Sequence, residues 1–474
     1  MPRDVNRELL ELAEFHGEEL EKIYPQWKYT ADRMGLSDED IAFAVDHYIP
    51  DNWEVQYKGI RMMIGAYLRE TIDVVATPKM KEDGVKIVYG ILPAIATNYT
   101  AIKHAGGDKV FVGFPDLLLV NVMNSFFHEA APYFYRAEAE GFTYGCRHCP
   151  LNKMRFAAFS SGLIAAPDII WSWGFNCDEG PKTDEMIKCL IGQDWNYVVS
   201  RIPHDTEFGI IDDEIEDRVK YLADMMKLGA QQVSDAIGIK VTDEAMAAAV
   251  KANNKYSFKI GQLVNMCCNA DPAPLGGDAL TMMQQPITLP FNTGFKYMEE
   301  ALDVLIKEMR AAIKEGRGIV PKGAPKVGFY NVPFCIPWVG KMFRDNGVII
   351  SFSHVLTASK KQLSPSKYED SWMQAAEMWL RMSIGQNLGS ELEGIIEKIE
   401  MNHPDAMIMG FFDFDRWLGS HHKMLAKLLE DRMGIPSYYI EADFWDDRDY
   451  SPEALRTRIE SVCQILKMKK GIVE

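Results

Sequence analysis

Two stretches decide the fold. Asp168-Ile169-Ile170-Trp171 runs through Gly174-Phe175-Asn176 to Cys177, then into a helical pattern at Thr183 to Leu190 and an apolar stretch at Tyr197 to Ile202. Asp405-Ala406-Met407-Ile408 runs to Phe414-Asp415, then into a helical pattern and an apolar stretch at Ser437 to Ile440. Each reads as strand, loop, helix, strand, the unit that builds a parallel sheet with helices on both faces. In such sheets the loops after the strand C-termini form the ligand-binding edge, where helix N-termini also gather. Cys177 and Asp415 are therefore expected on equivalent edges of two related lobes.

The same rhythm extends outward. In the first half, strands are expected at Lys86 to Ile91, Lys109 to Phe114, Asp168 to Trp173 and Tyr197 to Ile202, with a helix from Met154 to Ile164. In the second half they are expected at Lys326 to Tyr330, Gly347 to Phe352, Ala406 to Phe411 and Ser437 to Ile440, and Ser451-Pro452-Glu453 opens a last helix with an N-cap Ser and an N1 Pro. Between the halves, Val219, Leu222, Met225, Met226 and Ala230 mark one face of a long helix, and Leu302, Leu305, Ile306, Met309 and Ile313 mark another. The first ~80 residues carry helical spacing throughout. The chain is thus read as α/β with two parallel-sheet lobes and two helical segments: 1–83 an N-terminal helical segment, 84–211 the first lobe, 212–320 a helical middle and 321–474 the second lobe.

Composition narrows the function classes. With 474 residues, two or three domains and a large core are expected, and 47% hydrophobic with 25% charged residues is ordinary for a globular chain. No segment approaches the ~18 uninterrupted apolar residues of a membrane span, and Met1-Pro2-Arg3-Asp4 leads into a charged amphipathic helix rather than a signal sequence, so a cytoplasmic protein is expected. A net charge of −17 argues against nucleic acid as a partner, because phosphate binding needs a basic surface. A smaller anionic ligand needs only a local cluster of Lys or Arg.

Eight cysteines in such a chain read as free thiols or metal ligands rather than a disulfide framework. Cys146-Arg147-His148-Cys149 is a Cys-x-x-Cys, and Cys177 lies on a second loop of the same lobe. Three readings stand: thiolates of a [4Fe–4S] cluster, a structural zinc site completed by His148 or His204, or unligated buried thiols. Cys189, Cys463 and the Cys267-Cys268 pair sit in helical patterns and read as packing. His421-His422 reads as a solvated helix start, with a proton shuttle as the chemical alternative. No Gly-rich phosphate loop or Gly-x-Ser-x-Gly elbow is present, and Gly106-Gly107 is too little for a dinucleotide fingerprint.

Several segments together resemble the 2-hydroxyacyl-CoA dehydratase and benzoyl-CoA reductase family. They are Lys86-Ile87-Val88-Tyr89-Gly90-Ile91-Leu92-Pro93 with His104-Ala105-Gly106-Gly107, and Cys149-Pro150-Leu151-Asn152-Lys153 running to Ser160-Ser161-Gly162. They continue through Asp168-Ile169-Ile170 with Cys177-Asp178, and Gly238-Ile239-Lys240-Val241-Thr242-Asp243-Glu244-Ala245. The C-terminal stretch adds Gly434-Ile435-Pro436, Asp443, Arg448, Ser451 and Leu455-Arg456-Thr457-Arg458-Ile459-Glu460. The resemblance implies Rossmann-like lobes and an iron–sulfur subunit paired with a homologous second subunit. A separate ATP-hydrolysing iron–sulfur activator would supply electrons for radical elimination of water from a 2-hydroxyacyl-CoA, or, in the reductase branch, for reduction of an aromatic ring.

It also implies cluster ligands Cys149 and Cys177, and here the sequence departs from the family. Where the family carries its third cluster cysteine in an "F-C" context, this chain reads Phe414-Asp415. Either Cys146 supplies the missing thiolate, or Asp415 is a ligand, or the cluster is lost and the chain serves as a scaffold partner. Cys335 is a fourth candidate ligand from the second lobe. Asp415 and His421 are the candidates for proton transfer.

Overall fold

The structure is a computed structural model that describes residues 3–92, 94–142, 148–174, 177, 179–202, 215–383, 388–412, 415–448 and 450–472. Among the described residues, eight strands form two four-stranded, all-parallel sheets. The first contains β1 (Lys86–Gly90), β2 (Val110–Gly113), β3 (Ile169–Gly174) and β4 (Asn196–Arg201), in the order β2-β1-β3-β4. The second contains β5 (Lys326–Phe329), β6 (Ile349–Ser353), β7 (Ala406–Gly410) and β8 (Ser437–Ile440), in the equivalent order β6-β5-β7-β8. All eight expected strands are present, most of them a residue or two shorter than the apolar runs suggest.

The repeat extends to single residues. Asp168 enters β3 by donating its N–H to the Ile87 carbonyl at 2.8 Å, while its carboxylate accepts from the Ile87 N–H at 2.8 Å. Asp405 enters β7 in the same way against Lys326, with both distances at 2.7 Å. An aspartate at this point pins the neighbouring strand from two directions and sets the register of the pair, which is why the same residue opens both quoted stretches.

The strands read as continuous apolar runs because both sheet faces are covered. Along β7, Ala406 and Ile408 point into a core with Val327, Phe329 and Ile350, closed by Val339 and Phe343 of one helix and Leu455, Ile459 and Leu466 of the last. Met407 and Met409 point the other way, into the large core shared with the first lobe and the N-terminal helices. This alternation is the two-residue period of a pleated strand. In the first lobe, Trp171 and Trp173 of β3 stack with centroids 5.0 Å apart, and Trp173 meets Trp379 of helix Ser371–Leu380 at 5.2 Å. Trp171 also lies on Gly229 of helix Glu216–Ile237, where a Cβ would come within 2.6 Å of the indole.

The N-terminal helices form a layer on this core. Helix Lys58–Val75 crosses helix Lys296–Glu315, and Glu308 of the latter accepts from the N–H groups of Lys58 and Gly59 at 2.8 and 2.9 Å, satisfying two donors at a helix start. Among the described residues no helix is long and apolar enough to cross a membrane.

The chain turns sharply at the end of β7. Gly410 has φ 116 and Phe411 has φ 63, and a Cβ on Gly410 would lie 1.8 Å from the Ile440 carbonyl oxygen. Phe412 then bridges antiparallel to Asp443, tying the loop after β7 to the loop after β8. Gly410→Ala combines a left-handed backbone with a steric overlap, so a loss of ~3 kcal/mol is expected in urea unfolding, the combined scale of such strain and overpacking.

Candidate functional site

In both sheets the strand order reverses beside the first strand, so the crevice of each lobe opens above the C-terminal ends of its first and third strands. The two crevices face each other across one cavity of ≈ 120 Å³. Leu92 and Ala94 reach it from the loop after β1, and Cys177 from the loop after β3. From the second lobe come Asn331 after β5, Val355 and Leu356 after β6, Phe412 and Asp415 after β7, and Phe444 and Trp445 after β8. Its walls are mostly apolar, with Gln285, Thr288, Asn331 and Asp415 as the polar exceptions outside the thiols.

Each chemically interesting side chain stands at the start of a helix. Cys149 is the N-cap of helix Pro150–Ser160, with Pro150 at the first helical position, where its missing N–H is no loss. Cys177 precedes helix Glu179–Ile191, and its sulfur accepts the Gly180 N–H at 3.4 Å. Asp415 immediately precedes helix Arg416–Met433, its carbonyl accepting the Gly419 N–H at 3.0 Å. Three helix N-termini therefore surround one apolar cavity, an arrangement that favours a negatively charged occupant.

A buried ion network holds the two cysteine-bearing helices in register. Arg155, on the helix that Cys149 caps, donates to Asp116 at 2.9 Å, to Asn152 at 3.1 Å and to the Gly180 carbonyl at 2.9 Å, and lies 3.2 Å from Asp184. Glu179 completes the link by accepting from the Cys149 N–H at 2.9 Å and the Asn152 amide at 3.2 Å.

Burial pushes the Cys149 thiol well above its ordinary value, with the charge of Glu179 and the neighbouring Cys177 adding to the effect. Burial pushes Cys177 up to about 11; the Gly180 N–H opposes the rise and Asp415 reinforces it. These directions belong to thiols without a cation beside them. A bound metal inverts them, because its charge holds coordinating sulfur as thiolate.

The structure thus places Cys149, Cys177 and Asp415 around one cavity. Cys146, His204 and Phe414 lie outside the described residues. His148 packs edge-on against Phe142 at 5.3 Å and does not line the cavity. Cys335 is fully buried, donates to the Asn121 side chain at 3.1 Å and does not line the cavity. Cys267, Cys268 and Cys463 are buried in helices as expected, whereas Cys189 is exposed, a correction to its reading as core. Among the described residues, no group of three or more His, Cys, Asp or Glu is gathered closely enough to hold a metal ion.

His421 and His422 also require correction. They do not form a solvated helix start: they are 9% and 0% exposed, because the helix tucks its first turns beneath Tyr330. His422 accepts the Gly410 N–H through Nδ1 at 3.1 Å and thereby braces the turn at the end of β7. Sequence reasoning missed Arg155, Tyr330, His354, Glu391 and Lys398, all buried and polar. The one available signal was a run of ionisable residues inside otherwise core-forming patterns.

Compared with known protein families, residues 125–466 match the family model described as 2-hydroxyglutaryl-CoA dehydratase, D-component. No curated protein matches the chain significantly.

Proposed function

Because the chain belongs to the 2-hydroxyglutaryl-CoA dehydratase D-component family, we propose that it is the subunit of a 2-hydroxyacyl-CoA dehydratase that holds a [4Fe–4S] cluster. The observation that carries this reading is the meeting of Cys149 and Cys177 from the first lobe with Asp415 from the second around one mostly apolar cavity. Two soft thiols, one at a helix N-cap and one accepting a helix-start N–H, suit an iron–sulfur group. Cys146, three positions before Cys149, is the proposed third ligand, with Asp415 the alternative. When bound, the cluster supplies single electrons.

The chain's own residues do the rest. Leu92, Leu117, Val355, Phe412 and Phe444 exclude water from the space above the thiols, which protects reactive species and strengthens local electrostatics. Asn331 and Thr288 offer hydrogen-bonding groups for orienting a thioester, and Asp415, which lines the cavity, is the proposed group to hold or move a proton at the substrate. His421 does not line this cavity, so any proton it handles passes through other groups.

A groove of ≈ 570 Å³ leads away from the cavity, sharing Thr288, Val355, Leu356 and Met382 with it. Its walls carry Lys361, Lys367 and Arg381. An apolar chamber joined to a groove with cations on its walls suits an acyl-CoA, whose thioester and phosphates lie at opposite ends of a long arm. Lys361→Glu should raise the KM for the CoA ester by ~30-fold, equivalent to about 2 kcal/mol, with kcat unchanged.

The function is tested by anaerobic purification, with iron and acid-labile sulfide quantified and co-purifying chains identified. The preparation is then assayed with an ATP-hydrolysing activator on 2-hydroxyacyl-CoA esters. Iron, sulfide, a homologous partner and water elimination together are the expected result. Reduction of an aromatic acyl-CoA would move the chain to the reductase branch, and a partner-bound chain devoid of iron would make it a scaffold.

A further inference from the structure

Behind the second-lobe wall of the cavity lies a group of buried ionisable side chains that the site described above does not use. Tyr330 follows β5 and His354 follows β6; Glu391 and Lys398 come from helix Leu388–Asn402, and His421 and His422 from helix Arg416–Met433. Tyr330, His354 and His422 are fully buried, and Glu391 and Lys398 are each 1% exposed. The Tyr330 hydroxyl donates to one Glu391 oxygen. His354 Nε2 lies 3.7 Å from that oxygen, and His421 Nε2 lies 3.5 Å from the other and from the Tyr330 hydroxyl.

This is not a stabilising salt bridge. Lys398 donates to the His354 carbonyl at 2.6 Å and to the Ser383 hydroxyl at 2.7 Å, both neutral acceptors, and makes no ion pair among the described residues. Glu391 Oε2 and both ring nitrogens of His354 have no hydrogen-bond partner among the described residues. Burying a carboxyl and an amine in this way costs several kcal/mol. Buried polar groups left unsatisfied call for an explanation in function or in bound water.

The location supplies one. His354, Ser383, Glu391 and Lys398 line a second cavity of ≈ 350 Å³, polar and roomy enough for water. On the other side, Tyr330 and His354 immediately precede Asn331 and Val355, which line the first cavity, and the charge of Asp415 acts on the Tyr330 hydroxyl. The cluster spans the wall between the two cavities.

We propose that Glu391, with Tyr330 on the Asp415 side and His354 and Lys398 on the side of the second cavity, is a proton relay that lends one proton to the reaction cavity and recovers it within each turnover. The proposal rests on the dehydratase reading. Eliminating water breaks the C2–O and C3–H bonds of a 2-hydroxyacyl thioester. The departing oxygen takes the proton that the relay lends, the C3 proton returns to it, and no proton or electron is consumed overall. The Tyr330 hydroxyl, which donates to Glu391 at rest, turns to donate its proton towards Asp415 as it accepts that of Glu391, and the reverse transfer resets the chain.

The electrostatics agree with this assignment. Burial raises Glu391 to about 8, against the opposing effects of the Tyr330 hydrogen bond and Lys398. Burial lowers Lys398 to about 7 and His422 to about 3, and holds His354 well below its ordinary value. Burial thus favours the protonated, neutral form of Glu391 near neutral pH. The other charged groups facing this space are Arg218, Lys361 and Arg381 with Glu393 and Glu397, all at the second cavity.

Glu391→Gln, prepared anaerobically as the holoenzyme with its partner, tests the relay. The expected result is a kcat lowered ~10²-fold at unchanged KM and iron content, with the pH limb near 8 gone from the kcat profile. In the infrared, the protein should show a protonated-carboxyl band that fades as pH rises through about 8 and is absent from the variant. An unaltered kcat profile, or a band that the substitution leaves in place, would overturn the proposal. Tyr330→Phe retains the ring packing and should reproduce the kcat loss while the band remains, so a Gln variant that fails to fold does not leave the question open. If the unmodified enzyme eliminates water from no 2-hydroxyacyl-CoA, the dehydratase reading fails, and the infrared titration still decides whether Glu391 carries the proton.

Discussion

Replacing Cys177 with Ser should bring the iron and sulfide of the anaerobically purified protein to background and abolish its visible absorption and activity. The substitution removes one heavy-atom identity and little volume, so the fold is expected to persist; what changes is the ligand. A serine hydroxyl is a hard donor of far higher pKa than a thiol, whereas iron–sulfur clusters select thiolate. The Gly180 N–H that now points at the sulfur would instead hold the hydroxyl oxygen, leaving the helix start intact. Cys189→Ser, on the exposed surface of the helix that follows Cys177, is the matched control and should change neither iron nor spectrum. An unchanged spectrum in the Cys177 variant would place any cluster elsewhere and remove the main support for the cluster assignment.

The second large effect is expected at Arg155. Arg155→Met should cost about 3–5 kcal/mol of stability, the range for removing one partner from a buried ion network. Asp116 and Asp184 are each 1% exposed and would be left without their cation. Burial already raises both carboxylates, Asp184 to about 6 from 3.8, with Arg155 holding them down. A carboxyl whose folded value is raised favours the fold at low pH and loses that contribution as pH rises from 3.8 towards 6. Without Arg155 the rise is larger, so the deficit of the variant should shrink as pH falls towards about 6, where Asp184 becomes neutral with or without Arg155. Urea unfolding at several pH values measures this. A deficit that does not change with pH would mean that lost packing, not uncompensated charge, sets the cost. Because Arg155 also holds the Gly180 carbonyl, the variant should bind iron less well even where it remains folded.

Much of the framework was readable in the chain itself. Asp168 and Asp405 open equivalent strands and make equivalent backbone contacts, and the loops that follow carry Cys177 and Asp415 to the same cavity. These features depend on strand and helix periods and on the direction of parallel strands, which a few neighbouring residues set.

Other features had no local signature. In the sequence Glu391 is one of several glutamates on its helix, with Glu393, Glu397 and Glu400 close behind, and only packing against Tyr330 and His354 separates it from the others. His421 and His422 stand at a helix start, where solvent is the usual neighbour, until Tyr330 and Phe412 close over them. Cys189 shares a helical apolar pattern with core residues, yet its turn of the helix faces outward. The sequence by itself determined the two-lobed α/β frame, its strand directions and which loops reach the cavity, because these follow from short-range periodicity and chirality. Tertiary structure alone decided which acids, amines and imidazoles lose their water, because desolvation is set by distant segments that meet only in the folded chain, and that loss determines where their protons reside.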